Sequence, residues 1–212
     1  METKDRTSYL EFRDFFEKYG FLSINQARLW KKDFNVSNLG RWAREGKLVR
    51  LKQGYYTFPS FQSKAGISFY LANKIYAPSY VSLQSALAFY GMIPEYVFTT
   101  TSVTTLKTFE IRNPLGLYSY QSIKRELFFG HTIMIDDRNH EKHVLIATPE
   151  KALLDYLYLH PHHHSRNEMI HLRLDTHFMK DEFNWGRCEE YVEAFRSKVM
   201  NQRINWIKEV YG

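Results

Sequence analysis

The chain has 212 residues, of which 44% are hydrophobic, 17% aromatic and 25% charged. This composition is typical of a folded protein with a substantial core and excludes a predominantly disordered chain. The one cysteine, Cys188, excludes an intramolecular disulfide and a multi-cysteine zinc site, and it is consistent with a reducing compartment. No apolar run approaches the roughly 20 residues that span a bilayer, and the first residues lack the apolar segment of a signal peptide. We therefore expect a cytoplasmic protein with no membrane partner.

The positive charge is concentrated in one window of the chain. The formal net charge is +6, and residues 21–60 contain eight basic residues against two acidic ones, so this window holds the whole excess. The basic residues of the window are Arg28, Lys31, Lys32, Arg41, Arg44, Lys47, Arg50 and Lys52. A localised basic excess is typical of a protein that binds a polyanion, and a solvated charged face is the alternative.

Two helices are predicted at the start of the chain. Apolar residues recur at helical spacing over residues 8–19, with Ser8 as the N-cap and Glu11 at the capping-box position. A second, short helix is predicted after Ser23, which forms a capping box with Gln26 three residues later.

A third helix and a β-hairpin are predicted next. The helix covers residues 38–45 with Ser37 as its N-cap, and the strands at 47–51 and 55–58 are joined by a turn at Gln53-Gly54. Helices followed by a turn, a further helix and a hairpin are the order of a winged helix-turn-helix. In helix-turn-helix proteins the helix after the turn enters the DNA major groove.

The third helix has an apolar face and a polar face. Leu39 and Ala43 lie four residues apart and are predicted to face the core, with Trp42 beside them. Asn and Arg side chains read adenine and guanine edges, and Lys at a wing meets phosphates. The predicted contacts to double-stranded DNA are Ser37, Asn38, Arg41, Arg44, Lys47, Arg50, Lys52 and Gln53. The alternative is a winged helix that makes only protein contacts.

The remainder of the chain predicts a second, α+β domain over residues 64–212, after a short polar connector. Its helices are predicted at 64–76, 83–90, 149–159, 169–174, 188–200 and 204–211. Its strands are predicted at 80–82, 97–105, 109–111, 117–120, 131–135 and 143–147. The fold class is therefore α+β, with a winged helix-turn-helix at 1–60, a small mixed or antiparallel sheet and a helical C-terminus.

Some polar groups of the second domain invite a chemical interpretation. A metal could be bound by the histidine run of His160, His162, His163 and His164, but adjacent histidines cannot all face one ion. The favoured interpretation is that imidazolium charge interacts with the negative end of a helix dipole. Glu150 and Asp155 could act as paired carboxylates, but helix capping by Glu150 and an i,i+4 pair of Asp155 with Lys151 are favoured.

Two more features are interpreted as structural. Ser82 is predicted to N-cap the helix that follows it, and the polar segment 136–142 to form a solvated turn in preference to a cation site. The sequence has no Gly-rich phosphate loop and no Gly-x-Ser-x-Gly elbow. We therefore expect no enzymatic activity, no cofactor and no bound metal.

Three segments together resemble one known family. They are LVRLKQGYY at 48–56, YVSLQSALAFYG at 80–91 and ATPEKALLD at 147–155. In this order and at this spacing they resemble the AbiEi-type antitoxins of bacterial type IV toxin–antitoxin (abortive infection) systems. The resemblance covers nearly the whole chain and is weakest beyond about residue 165.

The resemblance implies a function as well as a fold. Members of this family carry an N-terminal winged helix that binds inverted repeats in their own promoter and represses it. Their second domain opposes a nucleotidyltransferase-like toxin encoded next door, and no direct complex is required. We therefore expect a DNA-binding transcriptional autorepressor that is also an antitoxin.

One departure from the family concerns charge. Many members are strongly basic in the second domain, whereas residues 61–212 are near neutral here, so a second DNA-contacting face is not expected. A local basic face remains open, because Lys107, Arg112, Lys124 and Arg125 fall near predicted strand ends.

Two alternative functions also remain open. A ligand-responsive repressor would carry an enclosed apolar pocket in the second domain. A nuclease-type enzyme with a fused winged helix would need convergent carboxylates or His and Lys residues in a cleft.

Overall fold

The computed structural model describes residues 7–62, 66–136, 139–162 and 164–212, without the side chains of 136 and 139–141. Within these ranges the chain is an α+β protein, as expected, with ten α-helices and two sheets. Of the possible cation ligands that we considered, His163 and Asp137 lie outside the described residues, as do the side chains of Asp136, Asn139 and Glu141. None of the helices described is both long and apolar enough to cross a membrane.

The element bounds are as follows. The helices are α1 (Tyr9–Phe16), α2 (Ile24–Trp30), α3 (Ser37–Arg44), α4 (Ile67–Ile75), α5 (Leu83–Phe89), α6 (Pro149–Leu159), α7 (Arg166–Ile170), α8 (Thr176–Asp181), α9 (Trp185–Glu193) and α10 (Lys198–Tyr211). The strands are β1 (Leu22–Ser23), β2 (Val49–Lys52), β3 (Tyr55–Thr57), β4 (Ser79–Val81), β5 (Thr99–Thr104), β6 (Phe109–Asn113), β7 (Gly116–Ser122), β8 (His131–Asp136) and β9 (Asn139–Ala147).

The N-terminal part combines α1–α3 with a three-stranded antiparallel sheet in the order β1-β3-β2. The predicted capping box at Ser23 and Gln26 forms and starts α2. At Ser8 only the N-cap half of the predicted box forms, with the hydroxyl accepting from the Leu10 N–H at 3.2 Å. Glu11 is exposed.

The connector after β3 is not a free polar linker. Phe61 is 2% exposed, and its ring packs so closely on Gly20 that a Cβ there would lie 2.8 Å from a ring carbon. Gly20 also has a φ of 68°, which disfavours side chains other than glycine. From α4, the Tyr70 hydroxyl donates to the Tyr19 carbonyl at 2.9 Å. The end of the first helical segment is therefore fixed against the elements that follow.

The second sheet is larger than the small sheet that we predicted. It has six strands in the order β6-β7-β5-β4-β9-β8, with β5–β7 and β4–β9 parallel and the other pairs antiparallel. Helix α4 covers one face, where the Tyr120 hydroxyl donates to the Ala72 carbonyl at 2.8 Å. Tyr80 of β4 pairs with Val103 of β5, whereas Tyr120 pairs with the neighbouring Ser102. Because neighbouring residues of a strand point to opposite faces, Tyr80 points to the other face, where it contacts helix α6.

A buried polar cluster joins β4 to α6. The Lys151 ammonium pairs with Asp155 one turn later, as the spacing predicted, but both side chains are fully buried. Lys151 also donates to the Tyr80 hydroxyl at 2.9 Å, and Asp155 accepts from Tyr80 at 3.0 Å and from Ser82 at 2.8 Å. Ser82 occupies the N-cap position of α5, as predicted, but its hydroxyl donates to Asp155 and makes no capping bond.

The cluster is electrostatically unusual because both of its charged side chains are fully buried. Burial raises the pKa of Asp155, and the Lys151 ammonium and the hydroxyl donors oppose that effect. Burial lowers the pKa of Lys151, against the attraction of Asp155. The ammonium also lies 5.2 Å from the centre of the Phe129 ring, which offers a favourable cation–π contact.

The C-terminal helices differ in detail from the prediction. The single helix predicted at 188–200 is wrong, because α9 ends at Glu193 and Arg196 has a φ of 47° before Ser197 caps α10. Helix α7 begins earlier than predicted, and α8 was not predicted. Arg203 of α10 donates to the carbonyls of Leu157 and Pro161 at 2.7 and 2.6 Å, and so caps the end of α6.

The buried cluster leads to a prediction about stability. Replacing Asp155 with Asn should lower the free energy of unfolding by about 3–5 kcal/mol, because the Lys151 ammonium then stays buried without a counter-charge. Urea unfolding followed by circular dichroism measures the change. The control is Glu189→Gln, which breaks the exposed 2.6 Å pair with Lys208 and should cost under about 1 kcal/mol. Equal losses in the two variants would contradict the prediction.

Candidate nucleic-acid interface

Helix α3 is held by an aromatic core. Trp42 is 2% exposed, and its ring centre lies 4.8 Å from that of Phe12 and 5.3 Å from that of Tyr9. Leu39 is fully buried on the same side, as predicted, whereas Ala43 is only half-buried. The helix can bury this side in one orientation only, so its opposite side faces outward.

The start of α3 differs from the prediction. Ser37 is the first residue of the helix and does not act as its N-cap. The Asn35 side-chain oxygen accepts from the Ser37 N–H at 3.1 Å and from the Ser37 hydroxyl at 2.7 Å. Asparagine therefore stabilises the first turn through a local side-chain bond to the backbone two residues on, as it does in Asx turns.

The outward side of α3 carries the predicted base-reading residues. Ser37, Arg41 and Arg44 are exposed, and Asn38 is half-buried at the edge of this side. The Arg41 guanidinium donates to the Asn38 side-chain oxygen at 3.0 Å, and its Nε lies 3.8 Å from a Glu45 carboxylate oxygen. These contacts orient Arg41, and all of them are accessible to solvent, so a stronger acceptor can replace them.

Lys47 follows α3 and is oriented by its neighbours. Its ammonium lies 2.7 Å from Glu45, and this hydrogen bond lowers the pKa of the Glu45 carboxyl. The Tyr9 hydroxyl donates to the Lys47 carbonyl at 2.9 Å, and the ammonium lies 5.4 Å from the centre of the Tyr9 ring. Lys47 thus extends the exposed basic surface of α3 from a fixed position.

The hairpin of β2 and β3 carries the predicted wing residues. Arg50 is exposed on β2, and Gln53 is exposed at the turn. Lys52 is half-buried, with its ammonium 4.1 Å from the centre of the Tyr55 ring, and burial lowers its pKa. Lys52 is therefore less accessible than the sequence suggested.

The wing hairpin is adjacent to the hairpin of β6 and β7. A cleft of about 530 Å³ between them is lined by Arg50, Leu51, Lys52, Gln53, Ile111, Arg112, Asn113 and Pro114. The sequence indicated that Arg112 falls near a strand end, but it did not indicate that the strand would lie beside the wing. Only the packing of the two hairpins places Arg112 on the same cleft as Arg50 and Lys52.

The other candidate residues do not converge. Glu150 is buried and accepts from the Asn184 N–H at 3.1 Å, with Arg187 3.5 Å away, while Asp155 belongs to the cluster with Lys151. His160 stacks on Tyr156 at 4.2 Å between ring centres. In the described part of the chain, no group of three or more His, Cys, Asp or Glu residues is arranged to hold a metal ion.

The pockets of the second half lie away from α3. An apolar pocket of about 190 Å³ is lined by residues that include Leu87, Leu153 and Leu172. This volume is below the range of about 300–1,000 Å³ that is usual for ligand sites. Two wider grooves, of about 550 and 610 Å³, border the exposed Tyr96 and Phe98.

Comparisons with known proteins add no identification. No protein-family model matches the chain, and a search of curated proteins finds no significant match.

The geometry at the start of α3 predicts which residue stabilises it. Replacing Asn35 with Ala should lower the free energy of unfolding by about 1 kcal/mol, because the first turn loses its side-chain acceptor. Ser37→Ala should change it by a few tenths of a kcal/mol at most, because Ser37 caps nothing. Parallel urea titrations of both variants measure the difference. A larger loss for Ser37→Ala would restore the original N-cap assignment.

Proposed function

We propose that residues 7–62 form a winged helix-turn-helix that binds double-stranded DNA, and that the protein represses transcription. The order α1, β1, α2, α3 and the β2–β3 hairpin is that of winged-helix proteins. The observation that carries the proposal is the outward side of α3, where Ser37, Arg41 and Arg44 are exposed opposite the buried Trp42. Duplex DNA is the partner that such a helix fits in helix-turn-helix proteins.

The side chains of this surface have the chemistry that DNA recognition needs. Arg forms bidentate bonds with guanine, and Asn does so with adenine. Arg41 and Asn38 already bond to each other at 3.0 Å, so a base edge can exchange that bond for two of its own. We assign Lys47, Arg50, Lys52 and Gln53 to phosphate contacts, which supply affinity without sequence information.

The antitoxin role rests on the family resemblance of the sequence. We propose that residues 64–212 oppose a nucleotidyltransferase-like toxin, and that the operator contains inverted repeats near the protein's own gene. We propose no catalytic step, since the candidate carboxylates Glu150 and Asp155 are both engaged in buried contacts. The charge distribution supports assigning DNA binding to the first part of the chain and not to residues 64–212, because the basic excess lies within residues 21–60.

The DNA-binding proposal predicts the effect of charge reversal on α3. Arg41→Glu with Arg44→Glu should abolish the gel shift of a duplex from upstream of the protein's own gene, because two phosphate or guanine contacts become repulsive. The matched control is Lys180→Glu with Lys198→Glu, which changes the net charge equally at exposed positions on α8 and α10. Unchanged binding by the α3 variant, or equal loss in the control, would contradict the assignment of α3.

The antitoxin proposal predicts that a mutation can abolish DNA binding without abolishing neutralisation of the toxin. The full-length Arg41→Glu, Arg44→Glu variant should still restore growth when it is co-expressed with a nucleotidyltransferase-like toxin encoded beside it. The expectation follows because the altered residues lie on α3, outside residues 64–212. Growth is compared with cells that carry the toxin alone and with cells that carry the unaltered chain. A folded variant that fails to rescue would show that the DNA-binding half is needed.

A further inference from the structure

Gly40 occupies a position in α3 that costs stability. It is the fourth of the eight residues of the helix, which runs from Ser37 to Arg44. Glycine inside a helix is about 0.8–1.0 kcal/mol less favourable than alanine. A glycine at such a position therefore needs a reason.

The fold itself gives no reason for this glycine. A Cβ at Gly40 would meet no atom within 4 Å, so no neighbour requires the space. Gly40 is also absent from the residues with a positive φ, so ordinary helical backbone suits it. By contrast, Gly20 and Gly130 combine a positive φ with a neighbour within 3 Å.

Gly40 is the only glycine of the chain that lies in a helix, has no positive φ and has no neighbour within 4 Å of the position of a Cβ. All ten glycines lie within the described ranges. Gly54, Gly46, Gly66, Gly91 and Gly116 have a positive φ. Gly186 is the second residue of α9, and its Cβ would make an ordinary contact with the Asn184 side chain at 3.5 Å. Gly212 follows the end of α10.

The position of Gly40 on the helix suggests what the open space is for. Ser37, Gly40, Arg41 and Arg44 follow the spacing i, i+3, i+4, i+7, which puts them on one side of α3. Ser37 and Arg44 flank Gly40 one turn away on either side and are exposed. This side of α3 therefore has a gap in the middle, where the partly exposed backbone of Gly40 lies between hydrogen-bonding side chains.

We propose that Gly40 is a positioning residue for DNA, at which the helix backbone makes its closest approach to the duplex. This inference rests on the proposed function. Glycine is the residue that lets backbone come nearest to a ligand, since it has no side chain to hold the two apart. A side chain at position 40 would hold the helix away from the duplex. Arg41, Arg44 and Ser37 would then all lie too far from the DNA to make their contacts.

The test uses full-length Gly40→Ala and Gly40→Leu. Both residues are strong helix formers, so each variant should raise the melting temperature by about 2–4 °C. Both should nevertheless weaken binding to the upstream duplex, by about tenfold for Ala and more for Leu, because larger side chains separate the surfaces further. Binding is measured by fluorescence anisotropy, and stability by thermal unfolding. Loss of affinity in a stabilised variant cannot be attributed to unfolding.

Two comparisons make the outcomes distinguishable. Gly186→Ala, on α9, should leave duplex affinity unchanged. If the unaltered chain does not bind the upstream duplex in preference to a mixed-sequence one, the proposed function and this inference both fail. In a second outcome, the unaltered chain binds the upstream duplex and the Arg41→Glu, Arg44→Glu variant does not. If both Gly40 variants then bind as tightly as the unaltered chain, only the inference about Gly40 fails. A graded loss from Gly to Ala to Leu supports it.

Discussion

The ring of Phe12 contacts the elements that hold the candidate interface in position. This side chain is fully buried in α1. Its ring centre lies between 4.8 and 6.4 Å from those of Phe16, Trp30, Phe34, Trp42 and Phe58. These rings belong to α1, α2, the turn before α3, α3 itself and the end of the hairpin. Aromatic pairs at such distances combine large buried areas with a preferred geometry, so one side chain fixes how α3 faces outward.

A second constraint ties this aromatic core to the rest of the chain. Phe61 of the connector packs against Gly20, and the Tyr70 hydroxyl of α4 donates to the Tyr19 carbonyl. The connector and α4 therefore both contact the end of the first helical segment. The wing hairpin in turn shares a cleft with the β6–β7 hairpin. The surroundings of the wing therefore include residues from both halves of the chain. A change in the second half that moved β6 would also alter the surroundings of Lys52.

The buried Lys151–Asp155 cluster has a different role from the aromatic core. A buried ion pair often contributes little net stability, because the desolvation of two charges offsets their attraction. Its directional bonds to Tyr80 and Ser82 nevertheless constrain how α6 lies on β4. The cluster is thus a constraint on register and orientation in the second half, where the aromatic packing of α1–α3 does not reach.

Local interactions were predictable from the sequence alone. The capping box of Ser23 and Gln26 and the grouping of polar residues on one side of α3 follow from residues within one or two turns of each other. The i,i+4 pairing of Lys151 with Asp155 is of the same kind. Each depends on spacing along the chain, so periodicity and residue type determined these features and the α+β class.

Longer-range features were decided by the tertiary structure. The Ser82 hydroxyl had a local role available as a cap, but a carboxylate 73 residues away in the sequence takes it. The order of the six strands, the burial of the Lys151 pair and the meeting of Arg112 with the wing likewise depend on residues far apart in the chain. Spacing cannot encode such contacts, because they form only when separate elements pack to remove apolar surface from water. The residue types on α3 were therefore set by the sequence, whereas their exposure and the open space over Gly40 were set by the packing behind them.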